Sequence, residues 1–203
     1  MNYWHCLCSF KNCFLDCFVG MKFIETSSSI NHSWFNISSV FFCRYPNPYS
    51  KHVLSEDVIS RKLENNILKT IRLQSKTNDA PNWLKRFLPS STAYIVEESH
   101  VDLKTGVIMT YTTNLNLKTL LQVDEKAFFF KSPDGSTKVN RQACIRSNLF
   151  GLCHAFESFG LKRYCSNISK MEKSFDYVLK IKSPQPISHL NYNLPDISNA
   201  FPV

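Results

Sequence analysis

The chain has no apolar run of 18 residues, so no helix in it is long and greasy enough to span a bilayer. It has no G-x-S-x-G elbow and no phosphate-cradling glycine loop, which removes the commonest hydrolase and nucleotide-binding signatures. Its 6 histidines are dispersed, with no H-x-x-x-H pair. Glu97, Glu98 and Asp102 sit on one predicted strand with ordinary alternation, as a solvated face would, so no acid–base constellation stands out. Acidic residues are also short, 16 against 24 Lys plus Arg, leaving a formal charge of +8. That surplus favours an anionic partner: nucleic acid, anionic lipid or an acidic protein. The aromatics, 16 phenylalanines among them, fall mainly on apolar stripes, and no nucleic-acid module is recognisable. At 203 residues the chain is one domain with tails, large enough to fold around its own core.

Residues 1–20 differ from the rest. They hold Cys6, Cys8, Cys13 and Cys17 beside His5 in a C-x-C-x4-C-x3-C spacing that matches no common zinc site. They have neither the basic start and apolar core of a secretory signal nor the arginines of a mitochondrial presequence. We read them as an extension or an alternative start, with the fold starting near Met21. Asn31, Asn36 and Asn167 head N-x-S sequons, which carry no weight without a secretory signal. The other cysteines, Cys43, Cys144, Cys153 and Cys165, fall inside predicted elements and read as buried thiols filling core space.

A short strand is expected at 22–28. Ser33 can cap a helix running to about residue 43, which Arg44-Tyr45-Pro46 ends because the residue before proline resists helical backbone. Alternating runs at 52–63 and 67–76 predict strands around Glu64-Asn65-Asn66. Runs at 92–103 and 106–117 predict a hairpin around Lys104-Thr105-Gly106, and runs at 120–131 and 137–147 another around Pro133-Asp134-Gly135. A long helix is expected from about 148 to 181, and residues 182–203, rich in proline, read as a disordered tail. The plan is α+β: a curved antiparallel sheet of about seven strands, closed by an early helix and a long C-terminal helix, with room for a cavity between.

Two constellations carry chemistry. On the long helix, Cys153, Phe156, Gly160, Tyr164, Ile168, Met171, Phe175 and Val178 recur at steps of three and four as a buried stripe. Beside it run Arg163, Asn167 and Lys170, which either point to water as an ordinary helix flank or grip an anionic head group against an apolar wall. The second is APNWLKRFLPSS at 80–91, where Trp83, Leu84, Phe87 and Leu88 share one side of a short helical turn next to Lys85 and Arg86. Apolar plus basic residues suit either docking on an anionic bilayer or a loop packed over the core.

RYPNPYSKHVLSEDVISR (44–61) resembles the start of the PRELI/MSF1 domain family. IRL (71–73), PNWLKRFLP (81–89), VEESHVD (96–102), MTYTTNLN (109–116), VDEKAFF (123–129) and SNISKMEKSFDYVL (166–179) follow in collinear order, so the resemblance covers about 21–181 and leans to the PRELI branch. It implies a non-enzymatic, cofactor-free phospholipid carrier of the mitochondrial intermembrane space. The cargo would be phosphatidic acid, moved from outer to inner membrane for cardiolipin synthesis, or in a sister branch phosphatidylserine. The partner would be a small twin C-x9-C helical-hairpin protein. Head-group contacts would be Arg44, His52, Lys76, Arg163, Asn167 and Lys170. Residues from about 78 to 91 would form a lid contacting the membrane through Pro81, Trp83, Leu84, Phe87 and Leu88. Asp79 departs from the basic residue that some members carry there. Arg44, held by Pro46 and Pro48, could aim its guanidinium at a phosphate, or could cap helix carbonyls; the two roles are compatible.

Overall fold

A computed structural model describes residues 21–77 and 80–182. The N-terminal cysteine cluster, Asp79 and the tail beyond Lys182 lie outside the described residues. Seven strands form one antiparallel sheet: β1 (Met21–Ile30), β2 (Val53–Glu64), β3 (Ile67–Thr77), β4 (Thr92–Asp102), β5 (Val107–Asn114), β6 (Gln122–Lys131) and β7 (Thr137–Arg146). Their order is β1-β7-β6-β5-β4-β3-β2, so β2 to β7 meander and β1 adds to the far edge along β7. The helices are α1 (Trp34–Val40), α2 (Asn82–Lys85) and α3 (Cys153–Lys182).

The turns follow local chemistry. Asn65 and Asn66 take positive φ values of 52° and 64°, which asparagine tolerates, and close a two-residue hairpin from Glu64 to Ile67. Gly106 and Gly135 supply φ of 67° and 83° in the β4–β5 and β6–β7 hairpins. Asp102 locks the first of these by accepting from the Thr105 hydroxyl and from the Thr105 and Lys104 amides, bonds that hold its carboxyl below the usual range. Ser33 caps α1 by accepting from the Asn36 amide, and a 3-10 turn at Phe41–Cys43 completes the early helical segment.

Two expectations need correction. The long helix starts at Cys153, not 148, because Gly151 adopts φ 77° and the Asn148 amide bonds across to the Thr119 carbonyl, leaving 147–152 as a loop. Of the four scattered cysteines only Cys144 is buried; Cys153 is half-buried, and Cys43 and Cys165 are exposed. Cys43 ends a short turn and Cys165 lies off the α3 stripe, so neither fills the core.

The main core lies between α1, one end of α3 and the sheet. Trp34, Ile37, Val40 and Phe41 meet Ile108, Phe129, Val139 and Phe175. Phe41 and Phe129 pack edge to face at 5.7 Å. A second cluster joins Ala80, Leu84 and Phe156 with Phe87, Leu88, Leu120, Leu149 and Leu152 at the other end. The helices close over one face of the sheet, and a cavity lies between the two clusters.

Candidate functional site

Inward-facing residues of successive strands form the cavity floor. Gln74 and Lys76 come from β3, Ala93, Ile95 and Glu97 from β4, Thr110, Thr112 and Asn114 from β5, Val123, Glu125 and Ala127 from β6, and Arg141 from β7. The pleat sends alternate side chains to this face, and register carries them across the sheet: Glu97 sits opposite Thr112, and Thr112 opposite Glu125. The wall from α3 is Phe156, Phe159, Gly160, Arg163, Tyr164, Asn167, Ile168 and Met171. Gly160 makes that approach close. A Cβ there would stand 2.9 Å from a Leu121 methyl and 3.0 Å from an Ile145 methyl. The cavity is partly open to solvent and has a volume of about 260 Å³.

The resemblance-implied head-group residues divide. Arg44, His52, Lys76, Arg163 and Asn167 line the cavity. Lys170 does not; it is exposed, and its carbonyl accepts from the Ser174 hydroxyl. Arg44 is 4% exposed, and its capping role is visible. One terminal nitrogen donates to the Phe41 carbonyl at 2.7 Å, capping the helical turn, and the other donates to Glu97 at 2.7 Å. Its guanidinium also lies over the Phe41 and Tyr45 rings, 4.5 and 5.0 Å from their centroids. Arg163 donates to the Thr77 carbonyl at 3.0 Å, tying α3 to the end of β3 beside Lys76.

The reading of Glu97 as solvated is corrected: it is 5% exposed and accepts from both Arg44 and Arg72. Arg72 is fully buried and donates also to Glu56, which in turn accepts from Gln74. The clue lies in strand parity. Glu97 shares its face with Ile95, Ser99 and Val101, whereas Glu98 points the other way to His100. Burial alone would raise the Glu97 carboxyl, but Arg44 and Arg72 outweigh it and hold the pKa below the ordinary range. Arg44 moves oppositely: burial pulls it down, and Glu97 overrides to raise it.

A second pair, Glu125 and Arg141, lies 3.6 Å apart on neighbouring strands. Burial pushes the Glu125 carboxyl up despite Arg141, pulls Arg141 down, and raises the phenol of Tyr164, which faces the pair from α3. Four cationic side chains, Arg44, Lys76, Arg141 and Arg163, against two carboxylates, Glu97 and Glu125, leave the lining net positive. Arg44 and Arg141 are drawn to those carboxylates on the sheet floor; Lys76 lies within electrostatic reach of both, and Arg163 is held at the Thr77 carbonyl.

The segment 80–91 is packed down at one end of the cavity. Leu84 is buried, and Leu84 and Leu88 line the cavity. Trp83 and Phe87 meet Phe156 edge to face at 5.6 and 5.9 Å. Trp83 remains 40% exposed, and Pro81 stands ahead of α2, its carbonyl accepting from the Leu84 and Lys85 amides.

Similarities to known proteins bear on this arrangement. A solved protein of Thermus thermophilus shares the fold at TM-score 0.56 and 12% identity, covering 80% of this chain and 99% of that one. PRELI domain-containing protein 1, mitochondrial, of Gallus gallus is 41% identical over 78% of this chain and 76% of its own length. Protein UPS1, mitochondrial, of Saccharomyces cerevisiae is 34% identical over 71% of this chain and 85% of its own. The family model described as PRELI-like family matches residues 36–185, spanning most of α1, every strand from β2 to β7, and α3. The chain therefore belongs to the PRELI-like family.

Proposed function

We propose that the chain is a mitochondrial phospholipid carrier of the intermembrane space, not an enzyme, and that its cargo is phosphatidic acid destined for cardiolipin synthesis. One observation carries the reading: an apolar-walled cavity, bordered by Leu84 and Leu88, has a net positive lining to which Lys76 and Arg163 both contribute. A phosphomonoester carries between one and two negative charges near neutral pH. The cations of the lining suit it, and the leucines and phenylalanines of the wall suit acyl chains. With the lid segment down, about 260 Å³ is just below the usual range of about 300–1,000 Å³ for ligand pockets. Moving chains from bilayer to an apolar cavity changes hydrophobic burial little, so charge recognition decides which lipid stays.

Membership of the family supports a small twin C-x9-C helical-hairpin protein as partner. A second reading, phosphatidylserine, is favoured by Glu125, because a carboxylate in the cavity can accept from an ammonium group. The deciding experiment is mass spectrometry of lipid retained by the protein co-expressed with such a partner. Near-stoichiometric phosphatidic acid is expected. Phosphatidylserine instead would move the assignment to the second reading, and a folded, lipid-free complex would overturn the carrier reading.

A further inference from the structure

The loop 147–152 between β7 and α3 is built, not slack. The Ser147 amide donates to the carboxylate of Glu157, itself 1% exposed, and the Asn148 amide donates to the Thr119 carbonyl. The Leu149 amide donates to the Ser147 hydroxyl, and the Leu152 amide to the Leu149 carbonyl. Leu149 and Leu152 pack into the apolar cluster beneath the lid segment. Gly151, at φ 77°, turns the chain between them. What this loop holds outward is Phe150, which at 101% relative exposure stands wholly in water. An aromatic side chain held in water by a bonded loop gains nothing for the isolated fold, since its burial elsewhere would be favourable by about 1.5–3 kcal/mol.

Phe150 has neighbours at the same end of the sheet. Leu115 starts the β5–β6 loop, its amide bonded to the Tyr94 carbonyl, and is 49% exposed. Trp83, on the lid segment, is 40% exposed. The loop 115–121 is tied to 147–152 through Thr119, and Leu120, Leu149 and Leu84 share one cluster. The described residues 80–91, 115–121 and 147–152 contain three cations, Lys85, Arg86 and Lys118, all exposed, and no acid. Exposed apolar side chains among cations match an anionic bilayer surface, where the rings enter the acyl boundary and the cations meet head groups.

We infer that the bilayer-docking surface extends beyond the lid segment to the two neighbouring loops, with Phe150 as its fixed anchor, Leu115 on the loop tied to it and Lys118 as a head-group contact. This rests on the carrier reading, and it adds a division of labour. Phe150 and Leu115 stand on loops outside 80–91, so they hold the cavity mouth on the membrane while the lid segment lifts. A soluble protein is the competing occupant.

The test is flotation of the full chain with phosphatidylcholine vesicles, with and without phosphatidylglycerol. Phe150→Ser is expected to weaken binding to the anionic vesicles by roughly tenfold, from the apolar area withdrawn, with unchanged retained lipid, because Phe150 does not line the cavity. Lys118→Glu is expected to lose several-fold on the anionic vesicles only. In Phe150→Trp, bromine-labelled acyl chains are expected to quench fluorescence beyond the wild-type level. Binding of Phe150→Ser within about twofold of wild type would overturn the inference. So would absence of the added quenching, or loss of binding to a protein while vesicle binding is untouched. A wild-type protein that retains no lipid yet still needs Phe150 to float would support the docking surface and sink the carrier reading.

Discussion

Glu97→Gln separates what the buried network does for folding from what it does for the ligand. In the folded protein Glu97 accepts from Arg44 and Arg72, side chains 5% and 1% exposed. Glutamine keeps the shape and removes the charge. Arg72 retains Glu56, and Arg44 keeps the Phe41 carbonyl, the Tyr45 side chain and a neutral amide oxygen, but loses its charged partner. Removing one partner of a buried pair costs about 3–5 kcal/mol, a large part of the roughly 5–15 kcal/mol that holds a domain together. In a domain of this size each kcal/mol moves the melting point by about 2–4 °C, so the lipid-free variant should melt roughly 6–20 °C lower. A bound phosphate can supply the missing anion to Arg44, so short-chain phosphatidic acid should recover more melting temperature in the variant than in the wild type. The pH dependence has a definite sign. The folded Glu97 carboxyl is held down, so its contribution is present above the unfolded value of about 4.3. It is lost as pH falls through the lower folded value, and Glu97→Gln should lack that component. Thermal melts across pH, with and without lipid, read all of this. A lipid-free melting point within about 2 °C of wild type, or equal recovery by lipid in both proteins, would refute the reasoning.

Other outcomes follow from the same geometry. Lys76→Glu and Arg163→Glu should each cut vesicle-to-vesicle transfer of phosphatidic acid by about tenfold or more, the worth of a hydrogen bond to a charged group. Lys170→Glu should cost less than about threefold, because charge acting from outside the cavity is screened; equal losses at all three would show that Lys170 reaches the ligand. Gly160→Ala drives a Cβ to 2.9 Å from Leu121, so it should destabilise by about 1–3 kcal/mol, seen as a lower denaturation midpoint. An unchanged midpoint would mean that α3 shifts freely on the sheet.

Much of the architecture is readable from the residues because it rests on local signals. Asparagine and glycine turns, strand alternation and the three-and-four spacing on α3 each need only neighbours in the chain. The segments 44–61, 81–89 and 166–179 are specific enough to point to the family. The misleading features are those whose meaning depends on a distant partner. Glu97 reads as half of an exposed acidic pair, yet its partner Arg44 lies 53 positions earlier in the chain. Cys43 and Cys165 sit inside predicted elements but end up facing water. Arg163, Asn167 and Lys170 share a helical spacing, but the sheet takes only the first two into the cavity wall.

The sequence by itself determined the family, the α+β plan, the positions of the turns and a surplus of positive charge. Only the tertiary structure decided how that charge is distributed. A guanidinium is the same residue in the sequence whether it is clamped to a carboxylate or lines a cavity. Pairing across β3, β4 and the end of the early helical segment holds Arg44 and Arg72 to Glu97, and pairing across β6 and β7 holds Arg141 near Glu125. Lys76 and Arg163 both reach the cavity, with Arg163 bonded to the Thr77 carbonyl at the end of β3, because α3 closes over the sheet and Gly160 lets it lie close.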